Sequence, residues 1–275
     1  MIISIAQIEP FFGNLEKNIE KHLSYISLAK KNEADLIIFP EMSLTGYYLK
    51  DLTQSLAIGP DFSKINPIIE ASLDIDIVVS FPERDNSFNF YISAVYLKDG
   101  RIAHIHRKVY PPINGMFDDL KDFRRGEEIN VFSSKSISCG MLICRDMWHP
   151  EAVTSLALSG AKLIIVPSAV PLRNISQTGP EIKDFIERSV RFYAEHFALY
   201  FVFVNRVGFE EGICFYGGSI AAGPGGEIVL SMSLLEEEIK FFELKEREIE
   251  RRISILPLQF EERKDLLKGR FYEQG

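Results

Sequence analysis

Cys144 closes a mostly apolar run, residues 137–143, that reads as a buried strand; Arg145 and Asp146 follow at once, and then Pro150, a residue suited to a helix's first turn. The thiol therefore stands at a strand-to-helix corner. In α/β sheets ligands collect at the carboxyl ends of strands, and N–H groups at a helix start favour a thiolate and can hold a developing oxyanion. Cys144 is thus a candidate nucleophile, although free cysteine is more often a small buried hydrophobe. Two charges arrive in the same way. Glu41 follows Ala34-Asp-Leu-Ile-Ile-Phe-Pro40, a short apolar strand stopped by proline, and Lys108 ends the strand Arg101-Ile-Ala-His-Ile-His-Arg-Lys108. A glutamate is costly to bury unpaired, so Glu41 either faces solvent or occupies a polar pocket beside a cation. Lys108 taken alone is a surface charge. His104 and His106 share one strand face, but no acidic or thiol partner stands at ligand spacing, so no metal is expected.

The elements that must position these groups alternate between βα units and hairpins. Residues 1–8 read as a buried strand, and Asn14 begins a helix in which Leu15, Ile19, Leu23, Ile26 and Ala29 recur at helical spacing. Residues 60–73 are predicted helical and 75–81 and 90–97 as strands, the last turning back through Lys98-Asp99-Gly100. A second hairpin, 129–132 with 136–143, leads to Cys144, and a helix over 150–159 ends at Gly160. Residues 162–167 repeat the pattern of 36–40, strand then proline then loop, which marks a pseudo-symmetric second half. After the loop 168–178 come a long helix over 181–197, strands at 199–204, 213–222, 227–232 and 238–244, and a charged helix over 245–252. Two sheets with helices on their outer faces, a four-layer α-β-β-α sandwich, accommodate both kinds of connection better than one doubly wound sheet.

Composition narrows the classes. A chain of 275 residues, 46% hydrophobic and 25% charged, suits one folded domain over 1–275, with the segment from about 253 expected as an extension that contacts a partner subunit. A net charge of -8 and a pI near 5.3 lack the basic footprint that nucleic acid requires. Cys139, Cys144 and Cys214 make an odd count without CxxC spacing, which argues against a disulfide framework or thiolate zinc site and fits a reducing cytoplasm. The start of the chain has no positively charged leader pattern, and no apolar run reaches the ~18 residues needed to cross a bilayer. Neither export nor membrane insertion is expected.

Glu41 in Phe39-Pro-Glu-Met-Ser-Leu-Thr-Gly-Tyr47, Lys108 in His106-Arg-Lys-Val-Tyr110 and Cys144 in Cys-Arg-Asp-Met-Trp-His-Pro-Glu151, in that order, resemble the carbon-nitrogen hydrolase family, also called the nitrilase superfamily. The likeness spans almost the whole chain, since Leu156-Ala-Leu-Ser-Gly-Ala-Lys-Leu-Ile-Ile-Val-Pro167, Asn205-Arg-Val-Gly208 and Tyr216-Gly-Gly-Ser-Ile-Ala221 are similar too. The resemblance implies an α-β-β-α sandwich, a homodimer or higher oligomer, no metal or organic cofactor, and a Glu-Lys-Cys triad. A second glutamate is usual after the lysine; here Asp119, one methylene shorter, is the substitute. Glu195 follows the family's pattern, whereas His196 stands where an asparagine is usual.

The chemistry so implied is amide cleavage. Glu41 would take the proton of the Cys144 thiol, pass it to the leaving amine and then activate water against the thioester, while Lys108 and the N–H of Arg145 hold the oxyanion. Tyr47, Asp119, Arg145, Trp148 and Arg173 are the expected substrate-pocket residues. Thr45-Gly-Tyr-Tyr-Leu-Lys-Asp51 and the Cys-x-Asp-x-Trp pattern look similar to the glutaminase domain of glutamine-dependent NAD synthetase, yet no synthetase domain follows. A stand-alone hydrolase of a small linear amide or N-carbamoyl compound is therefore expected ahead of a glutaminase subunit feeding a separate synthetase, an inactive dimerising module, or a Cys-His hydrolase using His149 or His106. A redox pair of Cys139 and Cys144 is disfavoured, since residues so spaced on a buried strand do not form an ordinary exchange pair.

Overall fold

The computed structural model describes residues 1–113, 117–135, 137–173, 175–176 and 179–261. The chain lays down β1 (Ile2–Gln7), β2 (Leu36–Ile38), β3 (Asp76–Arg84), β4 (Phe90–Lys98) and β5 (Arg101–Arg107) in one sheet, then β6 (Val131–Ser134), β7 (Ile137–Met141) and β8 (Leu163–Ser168) in a second. The short strands β9 (Ile175–Ser176) and β10 (Gly179–Pro180) pair with each other. β11 (Tyr200–Asn205) rejoins the second sheet, β12 (Val207–Glu210) and β13 (Ile213–Tyr216) form a separate hairpin, and β14 (Ile220–Ala222) and β15 (Ile228–Ser231) complete that sheet. β16 (Glu238–Glu243) returns to pair with β1.

The two six-stranded sheets run in the orders β16-β1-β2-β3-β4-β5 and β6-β7-β8-β11-β14-β15. Read in those directions they have the same sense of pairing: antiparallel, parallel, parallel, antiparallel, antiparallel. The repeat seen between residues 36–40 and 162–167 is therefore structural, with β2 and β8 as the middle parallel strands of their sheets.

The helices are α1 (Leu15–Lys31), α2 (Thr53–Leu56), α3 (Asn66–Ala71), α4 (Pro150–Leu158), α5 (Glu181–Phe197), α6 (Glu246–Ile255) and α7 (Leu258–Glu261). Asn14 caps α1 by accepting the Lys17 N–H at 3.0 Å, and Lys30 and Lys31 end it where the dipole favours cations. Leu15, Ile26 and Ala29 of α1 pack with Ile68 of α3 against Ala6, Ile37 and Phe39, the outer face of the first sheet. Alternate residues of the same strands, Ile3, Ile5, Leu36 and Ile38, join the core shared with Met141 and Ile165. Apolar side chains on both faces are what a sheet covered on both sides requires. α5 buries Ile186, Val190, Ala194 and Phe197 on the second sheet, which completes the four layers.

Two expectations are corrected. The helix over 60–73 reduces to a 3-10 turn, Ser63–Ile65, and α3, because Phe62 is left-handed (φ 54°) and breaks any earlier start. The strand over 213–222 is two strands: Gly217 and Gly218, at φ 72° and 64°, turn the chain so that β13 pairs with β12 and only β14 enters the sheet. β12 went unpredicted because it is short and carries Gly208. Ser136, parts of the loop 168–178, and the chain after 261 lie outside the described residues.

Candidate active site

Beyond β7 the backbone stays extended to Ile143 and then reverses into a 3-10 turn, Cys144–Trp148, whose first residue is left-handed at φ 46°. A cysteine in that region is strained, and such strain survives only where neighbours over-determine it. Asp146, fully buried, supplies much of that determination. Its Oδ2 accepts the Ile143 N–H at 3.0 Å and pairs with His106 Nε2 at 2.8 Å, while its Oδ1 accepts the N–H groups of Val109 (3.1 Å) and Tyr110 (2.8 Å). One carboxylate thus ties the thiol's turn to the loop that follows Lys108. Sequence reasoning did not single Asp146 out; its place in the Cys-x-Asp-x-Trp pattern was the available signal.

Glu41 opens the turn after β2, and Lys108 follows β5 with its N–H donated to Ile92 O at 2.8 Å. Both are buried, at 0% and 1% exposure. The Lys108 ammonium has three protons and three partners: Glu41 Oε1 at 2.7 Å, Asp119 Oδ2 at 3.1 Å and the Tyr47 hydroxyl at 3.1 Å. Tyr47 in turn donates to Asp119 Oδ2 at 2.6 Å. Asp119 therefore has the reach to meet the lysine, and its carboxylate is engaged with Lys108 and Tyr47, a support for the ammonium more than a contact for substrate.

The Cys144 thiol lies against the Glu41 carboxylate, with the Ala169 N–H close by. Glu41 Oε2 has no hydrogen-bond partner. Burial pushes the Glu41 carboxyl above the usual range, with the like charge of Asp119 adding to the rise and Lys108 opposing it. Burial and the Glu41 charge also push the Cys144 thiol up, against Lys108 and the Ala169 N–H. Burial alone would lower the Lys108 ammonium, but Glu41 and Asp119 outweigh it and hold the charge. The resting site is a neutral thiol beside a carboxylate that a single lysine shares between two acids.

Of these groups Cys144 and Tyr47 reach the wall of a cavity of about 480 Å³. Arg145, Trp148 and Arg173 line it as well, with Phe117, Glu181 and Phe185. The Arg145 guanidinium lies 4.3 Å from the centre of the Trp148 ring, Phe185 meets that ring edge-on, and Arg173 lies 5.6 Å from the centre of Phe117. The alternative bases are occupied elsewhere: His106 by Asp146, and His149 by the Tyr110 ring stacked at 3.7 Å. Cys139 is buried in the core, its thiol pushed up to about 12 by burial. Among the described residues, no group of three or more His, Cys, Asp or Glu side chains is arranged to hold a metal.

The fold is a helix-covered double sheet. Residues 2–252 match the carbon-nitrogen hydrolase family, and the chain belongs to it. It is an enzyme that acts on carbon-nitrogen bonds. It is 32% identical over 242 residues to the glutamine-dependent NAD(+) synthetase of Thermotoga maritima, a match that covers 86% of this chain and 41% of that one. A probable nitrilase of Schizosaccharomyces pombe is 27% identical over 247 residues, covering 86% of both chains. Among solved structures, the glutamine-dependent NAD+ synthetase of Acinetobacter baumannii superposes with a TM-score of 0.78 at 28% identity, over 87% of this chain and 44% of that one. The Nesterenkonia AN1 amidase superposes with a TM-score of 0.81 at 21% identity, over 97% and 95%, a likeness of fold. The chain spans about two fifths of the length of the synthetases it matches.

Proposed function

We propose that the chain hydrolyses the amide of a small linear carboxamide or N-carbamoyl compound through a thioester on Cys144. The observation that carries this reading is the convergence of the Cys144 thiol, the Glu41 carboxylate and the Lys108 ammonium behind one cavity. A thiol near its free pKa of about 8.5 is mostly protonated at neutral pH, and burial raises this one further, so attack needs a base. Glu41 Oε2, unpartnered, accepts the thiol proton as sulfur bonds to the carbonyl carbon. A neutral Glu41 holds Lys108 less strongly, which frees an N–H of the ammonium as the oxyanion forms. The Arg145 N–H, at the start of a helical turn and so without a partner inside it, is the second donor. Collapse of the intermediate breaks the C–N bond, and the leaving amine takes the proton from Glu41. The carboxylate, restored, then draws a proton from water, whose oxygen attacks the thioester; as the C–S bond breaks, Glu41 returns that proton to the sulfur, which releases the acid and restores the thiol.

A second reading is favoured by the synthetase relatives and by one feature of the cavity. Arg173 and Glu181 both line it, and a cation with a carboxylate suits the two charges of an amino acid, so glutamine is a substrate to test, with its ammonia passed to a separate synthetase. The enzyme is also proposed to form a dimer or larger homo-oligomer. The test is ammonia release from a panel containing glutamine, other linear primary amides and N-carbamoyl amino acids, with mass spectrometry of the intact protein. Turnover lost in Cys144→Ala and in Glu41→Gln, and a thioester adduct on Cys144, are expected. Full turnover in Glu41→Gln would remove the carboxylate from its role.

A further inference from the structure

Arg206 and Glu210 form an ion pair sealed inside the protein, their side chains at 0% and 1% exposure. A pair so placed is weak support for stability, because desolvating two charges offsets most of their attraction and apolar replacements often do as well. Its geometry points elsewhere. Glu210 gives Oε2 to Arg206 Nη1 and turns Oε1 toward the turn after β2, where it accepts the N–H groups of Tyr47, at 2.7 Å, and Tyr48. Gly46 permits this approach: it is left-handed at φ 85°, and a Cβ there would stand 2.9 Å from Glu210 Oε2. The Arg206 guanidinium lies 4.2 Å from the centre of the Phe215 ring, which itself packs against the ring of Tyr47. The pair therefore grips Tyr47 by backbone and by ring. Tyr47 is the residue whose hydroxyl bridges Asp119 and the Lys108 ammonium.

We infer that Glu210, backed by Arg206, is a positioning residue for the hydrolytic site, setting Tyr47 so that its hydroxyl and Asp119 aim the Lys108 ammonium at Glu41 and the oxyanion. The inference rests on the role proposed for Lys108. It also gives β12 and β13, a hairpin outside both main sheets, a reason to be there, since they carry the clamp that the strand-end groups lack.

The test compares two double variants with the parent. Glu210→Leu with Arg206→Met removes the acceptor and both charges while keeping the volume apolar, and its circular dichroism and melting are recorded first to establish that it folds. It is expected to lower kcat about tenfold or more while KM changes less than about threefold. Glu210→Gln with Arg206→Met returns an acceptor oxygen to Tyr47 and is expected to recover most of the lost kcat. Adding Tyr47→Phe to the leucine variant should cost little more, because the two changes break one chain of contacts. The groups facing Glu41 are Lys108, Asp119, Tyr47, Cys144 and, at longer range, the Arg206 guanidinium; both double variants lack the Arg206 charge, so loosening of Lys108 is read as an acid limb about one pH unit higher in the leucine variant than in the glutamine variant. The same limb is read without substrate from iodoacetamide alkylation of Cys144, followed on its own peptide, so a wrong choice of amide leaves the outcome legible. Native kcat and an unmoved alkylation profile in the leucine variant, or losses that add with Tyr47→Phe, would overturn the inference.

Discussion

Lys108 sits between two acids, and the acid left over decides the pH behaviour. Glu41 must be ionised to accept the thiol proton, and burial with the neighbouring Asp119 raises its pKa above the ordinary 4.5. The acid limb of kcat/KM is therefore expected above that value, with activity falling as the pH drops through it. Asp119→Asn removes the like charge and should move the limb to lower pH by up to about one unit, measured on any substrate the enzyme accepts. Glu41 and Cys144 stood out in the sequence because each follows an apolar run, whereas Lys108, at the end of a mixed polar strand, was singled out only by the family resemblance. Asp146 and Glu210 did not stand out, since what makes them matter is long-range: Asp146 binds the backbone of Val109 and Tyr110, and Glu210 that of Tyr47 and Tyr48.

At the scale of elements, the turn bearing Glu41 is held against α1 by a buried imidazole. His22 Nδ1 meets Asn18 O at 2.6 Å, its Nε2 meets the Ser43 hydroxyl at 3.0 Å, and burial lowers its pKa to about 3. The unfolded chain takes up a proton near 6.5 that the folded chain refuses until about 3, so this site's contribution is complete above 6.5 and is lost as the pH falls between those values. Its full extent is on the order of 5 kcal/mol. Glu41 works in the opposite direction, since acid relieves the cost of burying its charge. Urea titrations from pH 7 to pH 4 should show stability falling in the parent and a flatter slope in His22→Gln; equal slopes would remove His22 as the cause. Periodicity revealed α1, α4 and α5 because their apolar faces are long. It failed at β12 to β14, where short strands and paired glycines leave no period to read.

For the molecule as a whole, the layered architecture followed from the alternation of βα units and hairpins, and the shared pairing sense of the two sheets extends a repeat visible in two short motifs. The surface was harder to read. Phe192 on α5, Ile255 on α6 and Phe260 on α7 are 58%, 64% and 73% exposed, and α7 packs on α5. These exposed apolar side chains are the surface on which the proposed association would rest. Sedimentation at micromolar concentration should give a dimer or larger species, reduced to monomer by Phe192→Asp with Phe260→Asp; a parent that sediments as a monomer would dispose of the idea.

The left-handed backbone at Cys144 has a cost that the role proposed for its thiol would offset. A side chain there is disfavoured by about 1 kcal/mol or more relative to glycine, so Cys144→Gly, though inert, should melt a few degrees above the equally inert Cys144→Ala. Keeping the sulfur and relaxing the backbone are thus incompatible aims at this one position.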